Sequence, residues 1–255
     1  TRKEVWLIDG GGRLQWEQEA WRQRENAFDV GEDIVLPYLR HRGIRRIDGM
    51  VLSHGDADHV QGFVAVAQRL PVRMALVNGG PSSSVQEEVL AVLRDRGVPV
   101  YRAVAGTQWS TENGILWEVL HPPEGPVTNE NRHSIVLKLR VYGRDVLFTG
   151  DLDVQGELEL VASGMAHAAD VLKVAHHGSN TSTSKAWLSA VRPALAVISV
   201  GKNNIYGHPS QEVLQRLEAA AIPVLRTDRD GAVTLRFYPD GQWQIWTQGK
   251  NSGME

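Results

Sequence analysis

Cysteine is absent from the 255 residues of this chain. Its absence excludes a disulfide framework, a metal site with thiolate ligands and catalysis by a cysteine nucleophile. A metal-binding or hydrolytic function would therefore have to use imidazole and carboxylate side chains. The redox compartment of the protein stays undecided, because no thiol is present to indicate it.

Long apolar runs and an excess of positive charge are also missing. No stretch of eighteen apolar residues occurs, and the start at Thr1 has neither the charged segment nor the small-residue cleavage site of a secretory signal. We therefore expect the chain as given to be soluble. Lys and Arg number 27 against 30 Asp and Glu, a net charge of −3. Because no global positive field attracts a polyanion, any nucleic acid must be held locally.

The hydrophobic periodicity predicts a mixed α/β protein. In the first hundred residues short apolar strands alternate with amphipathic helices, which is the pattern of βα units. From residue 114 to 150 the period changes to two and predicts three strands, and a helix at 210–221 and a hairpin at 233–246 follow. With 42% hydrophobic residues, we predict one domain over 1–255, a four-layer αββα sandwich of two mixed β-sheets.

The densest group of potential metal ligands follows the apolar strand at 50–52 directly. Four of six consecutive residues qualify, namely His54, Asp56, Asp58 and His59. In an extended loop, side chains two positions apart point the same way, so His54 and Asp56 can face one ion. Asp58 and His59 can face a second, because the chain turns there into a helix. In the alternative interpretation Asp58 merely caps this helix, which accounts for one carboxylate only.

Polar residues also follow three later strands. Asp151 ends the strand at 146–149, the pair His176 and His177 follows the strand at 171–175, and His208 follows the strand at 194–200. Each alone would be an ordinary loop residue, and a single aspartate at a strand end is more often a turn former. Their recurrence with the first group instead indicates a site of imidazoles and carboxylates, which suits Zn²⁺ or Mn²⁺.

Seven short segments carry a family resemblance, and they are Phe28–Glu32, Leu36–Leu39, Ser53–His59, Thr149–Asp151, Val174–Ser179, Tyr206–Pro209 and Arg226–Gly231. They resemble the metallo-β-lactamase superfamily, whose first motif is His-x-His-x-Asp-His, here with Asp56 in the second histidine's place. More closely, the chain looks like the C-terminal nuclease domain of the ComEC family, the membrane channel proteins of bacterial DNA uptake. The resemblance covers nearly the whole chain.

Two departures from the family pattern affect what the resemblance implies. A glycine-rich first strand is missing before Val5, which leads us to expect a fragment of a longer membrane protein. The superfamily's third histidine ligand is expected near residues 131–134. In the ComEC-like pattern Asn131 and Ser134 are the motif positions, which would make His133 incidental. The third ligand of the first metal site therefore stays open at this stage.

The resemblance implies two divalent metal ions, bridged by Asp151 and completed by one of the tandem histidines, preferably His177. Its implied ligand set is His54, Asp56, Asp58, His59, Asp151 and His177. The many carboxylate oxygens shift the expected preference from Zn²⁺ towards Mn²⁺. Asp58 is expected to hold the attacking water, and His208 to donate a proton to the leaving oxygen.

Further polar residues are candidates for substrate binding. The set comprises His176, Ser179, Thr181, Lys202, Asn131 and Ser134. Hydroxyl donors such as those of Ser179 and Thr181 suit backbone phosphates. A solvated turn explains most of the 179–183 run equally well, and Lys202, beside Asn203 and Asn204, could be an ordinary exposed lysine.

The resemblance implies a metal-dependent DNase, an exonuclease that degrades the strand not imported during natural transformation. Its implied partners are single-stranded DNA and the remainder of the ComEC channel, with no stable soluble partner. The parent would lie in the bacterial cytoplasmic membrane with this domain outside. Two alternatives stay open. One is a hydrolase of another phosphodiester or ester, for example a phosphocholine-type phosphodiester or a lactone, and the other is a non-catalytic DNA-gating module. A degenerate module should have lost several ligands, yet His54, Asp58, His59, Asp151 and His177 are all present.

Overall fold

The computed structural model describes residues 4–12, 28–112, 114–126, 129, 131–202 and 204–248. The chain forms two compact units, which we treat separately. The N-terminal unit contains residues 2–103 and 126–130, and the C-terminal unit contains mainly residues 104–125 and 131–255.

The N-terminal unit contains a four-stranded parallel sheet in the order β1-β2-β3-β4. Its strands are β1 Trp6–Ile8, β2 Gly49–Leu52, β3 Ala75–Val77 and β4 Val100–Arg102. The parallel pairing follows from the βα alternation, because a helix returns the chain to the same end of the sheet between strands. The residues that follow β1 and β2 therefore emerge at one edge.

Within the described residues of this unit, four α-helices pack on the sheet. They are α1 Leu36–His41, α2 Ala57–Val60, α3 Gly62–Arg69 and α4 Ser84–Asp95, with a π-helical turn at Gly31–Val35 running into α1. Their fully buried side chains include Leu36, Phe63 and Leu93, each worth about 1.5–3 kcal/mol on burial. Helix α3 approaches the end of β1 so closely that a Cβ on Gly62 would lie 2.2 Å from the Gly10 carbonyl oxygen. Only glycine permits this contact.

The C-terminal unit contains a seven-stranded mixed sheet in the order β11-β10-β9-β8-β7-β6-β5. Pairings from β5 to β8 are antiparallel and those from β8 to β11 are parallel. The strands are β5 Gln108–Ser110, β6 Leu116–His121, β7 Val136–Val141, β8 Arg144–Phe148, β9 Val171–Lys173, β10 Leu195–Ile198 and β11 Val224–Arg226. The parallel strands β8, β9 and β10 end at the same edge, where candidate site residues follow each of them.

Helices and a hairpin pack on this sheet. The helical elements are α5 Val154–Ala162, a 3₁₀ turn at Ala175–Gly178, α6 Lys185–Val191, α7 Gln211–Ala219 and α8 Thr227–Asp230. Side chains of α5, α6 and α7 share one core cluster with β7, β8, β9 and β10. The hairpin of β12 Val233–Phe237 and β13 Trp243–Thr247 packs on a second cluster with Val146, Val171 and Leu195.

The predicted mixed α/β architecture is confirmed, and the structure adds elements that periodicity missed. Only the seven-stranded sheet is mixed, since the four described strands of the other sheet pair in parallel. Helix α5 escaped notice because Glu157-Leu158-Glu159-Leu160 alternates like a strand. In the helix Glu157 is buried and Leu158 is 41% exposed, which reverses the usual polarity.

Candidate metal centre

The residues after β2 form the first ligand region, which we call the 54–59 region. Asp56 has an extended backbone conformation, and α2 begins immediately after it at Ala57. Asp58 lies in the first turn of α2, so the interpretation of Asp58 as the helix cap is wrong. Asp56 occupies the cap position but makes no side-chain cap hydrogen bond. Neither carboxylate is therefore explained by helix capping.

The two histidines of this region are buried next to each other. The ring centroids of His54 and His59 lie 4.2 Å apart, and both residues are almost fully shielded from solvent. His54 Nε2 lies 3.4 Å from Asp56 Oδ2, as the spacing of two residues predicted. Asp56 is exposed and Asp58 is half-buried, so the region combines buried imidazoles with accessible carboxylates.

Asp9, which we did not predict, holds the 54–59 region together. Its carboxylate accepts hydrogen bonds from the Ser53 N–H and the Ser53 hydroxyl, both at 2.9 Å. His59 Nδ1 lies 2.8 Å from Asp9 Oδ2, and because a carboxylate only accepts, Nδ1 carries the proton. With Nδ1 protonated, Nε2 is the ring atom of His59 that can coordinate a metal ion. The signal in the sequence was an aspartate directly after a strand, as at Asp151.

The electrostatics at Asp9 favour its charged form. Burial by itself would raise the pKa of this carboxyl group, but the charge and hydrogen bond of His59 oppose it, helped by His54 and the Ser53 backbone. The net effect is a pKa below the ordinary value. Asp9 also has a left-handed backbone, with φ of 57°. Such a conformation costs on the order of 1–3 kcal/mol in a non-glycine residue, and the surrounding hydrogen bonds sustain it.

In the C-terminal unit Asp151 follows β8 and is almost fully buried. Its backbone N–H donates to the Ser134 hydroxyl at 3.1 Å, and the Ser134 N–H donates to the Asn131 carbonyl at 3.0 Å. These contacts place the Asn131–Ser134 turn beside Asp151. The ring of His133 lies 5.9 Å from that of His121 on β6. The turn thus supports Asp151 through Ser134.

The tandem histidines follow β9 in a strained turn, which we call the 176–178 turn. His176, His177 and Gly178 all have positive φ values, between 50° and 83°. The ring atoms His176 Nε2 and His177 Nε2 lie 3.6 Å and 3.9 Å from Asp151 Oδ2. His177 Nδ1 donates to the Ser199 carbonyl at 2.7 Å, so Nε2, on the Asp151 side, is the ring atom that can coordinate a metal ion.

His208 completes the aromatic part of this unit's site. Its ring centroid lies 5.9 Å from that of His176, and the Tyr206 ring stacks on it at 5.7 Å. Burial lowers the pKa of His208, the charges of His176 and His177 lower it further, and Asp151 opposes them.

Most of the hydroxyl-rich loop 179–184 is packed against the unit rather than being a solvated turn, while Asn180 and Thr181 are exposed. Ser182 and Thr183 are buried, and the Ser179 and Thr181 hydroxyls lie 3.0 Å apart. Thr181 Oγ1 lies 3.2 Å from His176 Nδ1, which connects the loop to the 176–178 turn. Lys202 is exposed, as an ordinary surface lysine would be, and Asn203 lies outside the described residues.

Two charged side chains anchor this loop. The carboxylate of Glu157 accepts hydrogen bonds from the backbone N–H groups of Thr183 and Ser184, and Arg216 donates to the Ser182 and Thr183 carbonyls at 2.8 Å. Burial raises the pKa of Glu157 to about 7, although the hydrogen bonds and the Arg216 charge oppose the shift. Glu157 was not among the predicted site residues, because its helix was not predicted.

Comparison with known proteins places the chain in a family. The sequence model of the metallo-beta-lactamase superfamily matches residues 1–202, most of the chain. The chain belongs to this superfamily. It is therefore a metal-dependent hydrolase of this superfamily.

Several curated proteins are similar in sequence to this superfamily member. The chain is 36% identical over 91% of its length to "ComE operon protein 3" of Bacillus subtilis, 38% over 82% to "Competence protein ComA" of Neisseria gonorrhoeae, and 32% over 91% to "Recombination protein 2" of Haemophilus influenzae. These matches confirm the resemblance to the ComEC family. The chain spans 30%, 29% and 27% of these three relatives. In the described part of the chain, every helix is too short or too polar to cross a membrane.

Proposed function

We propose that this chain is a metal-dependent nuclease that hydrolyses phosphodiester bonds of DNA, acting as an exonuclease. The observation that carries the proposal is the anchoring of one histidine in each unit through Nδ1. His59 is held by Asp9 and His177 by the Ser199 carbonyl. Metal-binding histidines characteristically donate their other ring N–H to a carboxylate or carbonyl, which orients the ligand nitrogen.

The donor set fits two divalent metal ions. The proposed ligands are His54, Asp56, Asp58, His59, Asp151 and His177, and superfamily membership supports their assignment to one metal pair. Each anchored imidazole offers Nε2, and the carboxylates supply oxygen ligands. We propose Mn²⁺ as the favoured ion because oxygen donors are numerous, with Zn²⁺ as the other candidate. Bound ions of this kind would activate water and neutralise charge on the phosphate.

The chain's own residues have distinct parts in the proposed reaction. Asp58 holds and orients the attacking water, and His208 donates a proton to the leaving oxygen. Ser179, Thr181 and His176 form a hydrogen-bonded group that suits contacts with non-bridging phosphate oxygens. Asn131 and Ser134 support Asp151, and Lys202 supplies a positive charge on the loop after β10.

The relatives' names support DNA as the substrate, since one is a competence protein and another a recombination protein. We propose that the chain degrades the strand that is not imported during transformation. In this proposal it acts as part of a ComEC-type channel protein of the bacterial cytoplasmic membrane, on the outer side. The chain's coverage of less than a third of each relative is compatible with such an arrangement.

A cleavage assay with metal-stripped protein tests the proposal. We expect Mn²⁺ to restore degradation of a single-stranded oligonucleotide, and Asp58→Ala to abolish it while the circular dichroism spectrum stays unchanged. Glu88→Ala, at an exposed position of α4, is the matched control and should retain activity. Better restoration by Zn²⁺ would refute the metal preference. Turnover of a phosphocholine ester without any DNA cleavage would refute the nuclease and favour the other hydrolase.

A further inference from the structure

A tied loop after β10 presents two large apolar side chains to solvent. The Asn204 amide donates to the His208 carbonyl at 2.8 Å and to the Gly201 carbonyl at 3.3 Å, and its oxygen accepts from the His208 N–H at 2.8 Å. One side chain thereby fastens both ends of the segment 204–208. Within it Ile205 is 65% exposed and Tyr206 is 56% exposed.

The Tyr206 ring of this loop contacts the candidate site of the C-terminal unit through His208. The Tyr206 ring lies nearly parallel to the His208 ring, with centroids 5.7 Å apart and planes inclined by 20°. His208 in turn packs edge-on against His176, whose Nε2 lies 3.6 Å from Asp151 Oδ2. A row of rings therefore leads from solvent to a proposed metal ligand.

Isolated exposed apolar residues are common on protein surfaces and need no explanation. Here two neighbours are exposed together on a fastened loop, and one of them stacks on a proposed catalytic ring. A rigid aromatic surface costs little ordering entropy when a flat ligand binds to it. The flat apolar part of a nucleic acid is the face of a base, and stacking of bases on aromatic side chains is worth about 1–3 kcal/mol per base.

The charge of the chain gives a second reason for such a surface. With a net charge of −3, the protein lacks the general positive field that supplies most non-specific affinity for DNA. Stacking is insensitive to the sign of the protein's charge and to base sequence, so it can supply the missing affinity. Bases inside a duplex are stacked on neighbours on both faces, whereas an unpaired base, or a base at the end of a strand, offers a free face.

We propose that Tyr206 and Ile205 form a platform on which an unpaired nucleobase next to the cleaved phosphate stacks. The platform makes single-stranded DNA, or a frayed end, the preferred substrate. This inference rests on the proposed nuclease function and extends it to the structural state of the strand. Tyr206 binds the base, and His208 beneath it faces the adjoining phosphate group.

The test compares a base-containing single-stranded oligonucleotide with one of equal length in which tetrahydrofuran abasic units replace the nucleosides. We expect Tyr206→Ala to lower kcat/KM on the normal strand about tenfold and to leave the abasic strand unaffected. Tyr206→Phe keeps the ring and should retain wild-type rates on both. Tyr142→Ala removes another exposed tyrosine of the same unit, 48% exposed, and is the matched control.

Other outcomes overturn the platform or the nuclease separately. Equal losses on both strands would mean that Tyr206 only supports His208, and unchanged rates on both would remove any role in binding; either result overturns the platform. If wild-type protein cleaves no DNA, the nuclease proposal fails. The platform is then judged by quenching of a 2-aminopurine-labelled strand, which wild type and Tyr206→Phe should produce and Tyr206→Ala should not.

Discussion

The proposed ligands of the N-terminal unit lie within six consecutive residues, whereas those of the C-terminal unit follow separate strands. The 54–59 region is anchored by one carboxylate, that of the half-buried Asp9, which contacts both Ser53 and His59. The 176–178 turn is anchored by backbone, because His177 donates to the Ser199 carbonyl. The two regions orient an imidazole in the same way with anchors of different chemistry.

Because the anchors differ, different substitutions should disrupt the two regions. A carboxylate anchor can be neutralised by a single side-chain substitution, whereas a carbonyl anchor is lost only if the backbone moves. The backbone at His176 and His177 is left-handed, and the loop that follows is held by Glu157 and Arg216. We therefore expect the imidazole orientation in the first region to depend on the Asp9 side chain. In the second region it should depend on how firmly the loop is held.

Removal of one ligand from each region has the largest expected effect. We expect His54→Ala and His177→Ala each to lower DNA cleavage on the order of 10³-fold, because each loses a ligand of the proposed metal pair. Bound metal is counted by mass spectrometry under native conditions, alongside the rate. His167→Ala, at an exposed position, is the control. Full activity in either ligand variant would contradict the proposal that both regions supply metal ligands.

The pH dependence of stability tests the role of Glu157, which holds the loop of the second region. Because the pKa of Glu157 is raised from 4.5 to about 7, the folded protein keeps a proton that the unfolded chain loses above pH 4.5. The free energy of unfolding should therefore fall as pH rises from 4.5 to 7, by roughly 3 kcal/mol at about 1.36 kcal/mol per pH unit. Urea unfolding of metal-free protein at pH 5 and pH 8 measures this change in the free energy of unfolding.

Two glutamine variants separate this contribution from the other titrating groups. Glu157→Gln removes the ionisation, so its stability should differ less between the two pH values. Glu159→Gln, at an exposed position of the same helix, should keep the wild-type difference. An identical pH response in Glu157→Gln and wild type would contradict the assignment.

The smallest expected effect concerns the carboxylate anchor of the first region. Asp9→Asn removes the charge that holds His59, and we expect metal affinity to fall about 10- to 100-fold. Isothermal titration with Mn²⁺ measures the change. Asp48→Asn removes another buried carboxylate of the same unit, which accepts the Val5 N–H at 3.0 Å, and should leave affinity unchanged. Equal losses in both variants would indicate general destabilisation instead.

The sequence predicted site residues that lie close together along the chain, and it missed those whose contacts are far apart along the chain. The ligand cluster at 54–59 was visible because spacing along an extended loop determines which side chains share a side, and His54 and Asp56 do lie together. Asp9 escaped because its contacts with Ser53 and His59 span 44 and 50 residues. Glu157 escaped for a similar reason, since its polar side chain is buried by a loop 26 residues away.

The residue types available for chemistry, the α/β alternation and the family were all readable from the amino-acid sequence. These depend on composition, on short-range periodicity and on motif spacing, which a linear chain already contains. Folding was needed to fix which ring nitrogen of His59 and of His177 carries the proton, and which side chains surround Asp9 and Glu157. Hydrogen-bond direction and desolvation depend on neighbours brought together by folding, and those neighbours are far apart in the chain.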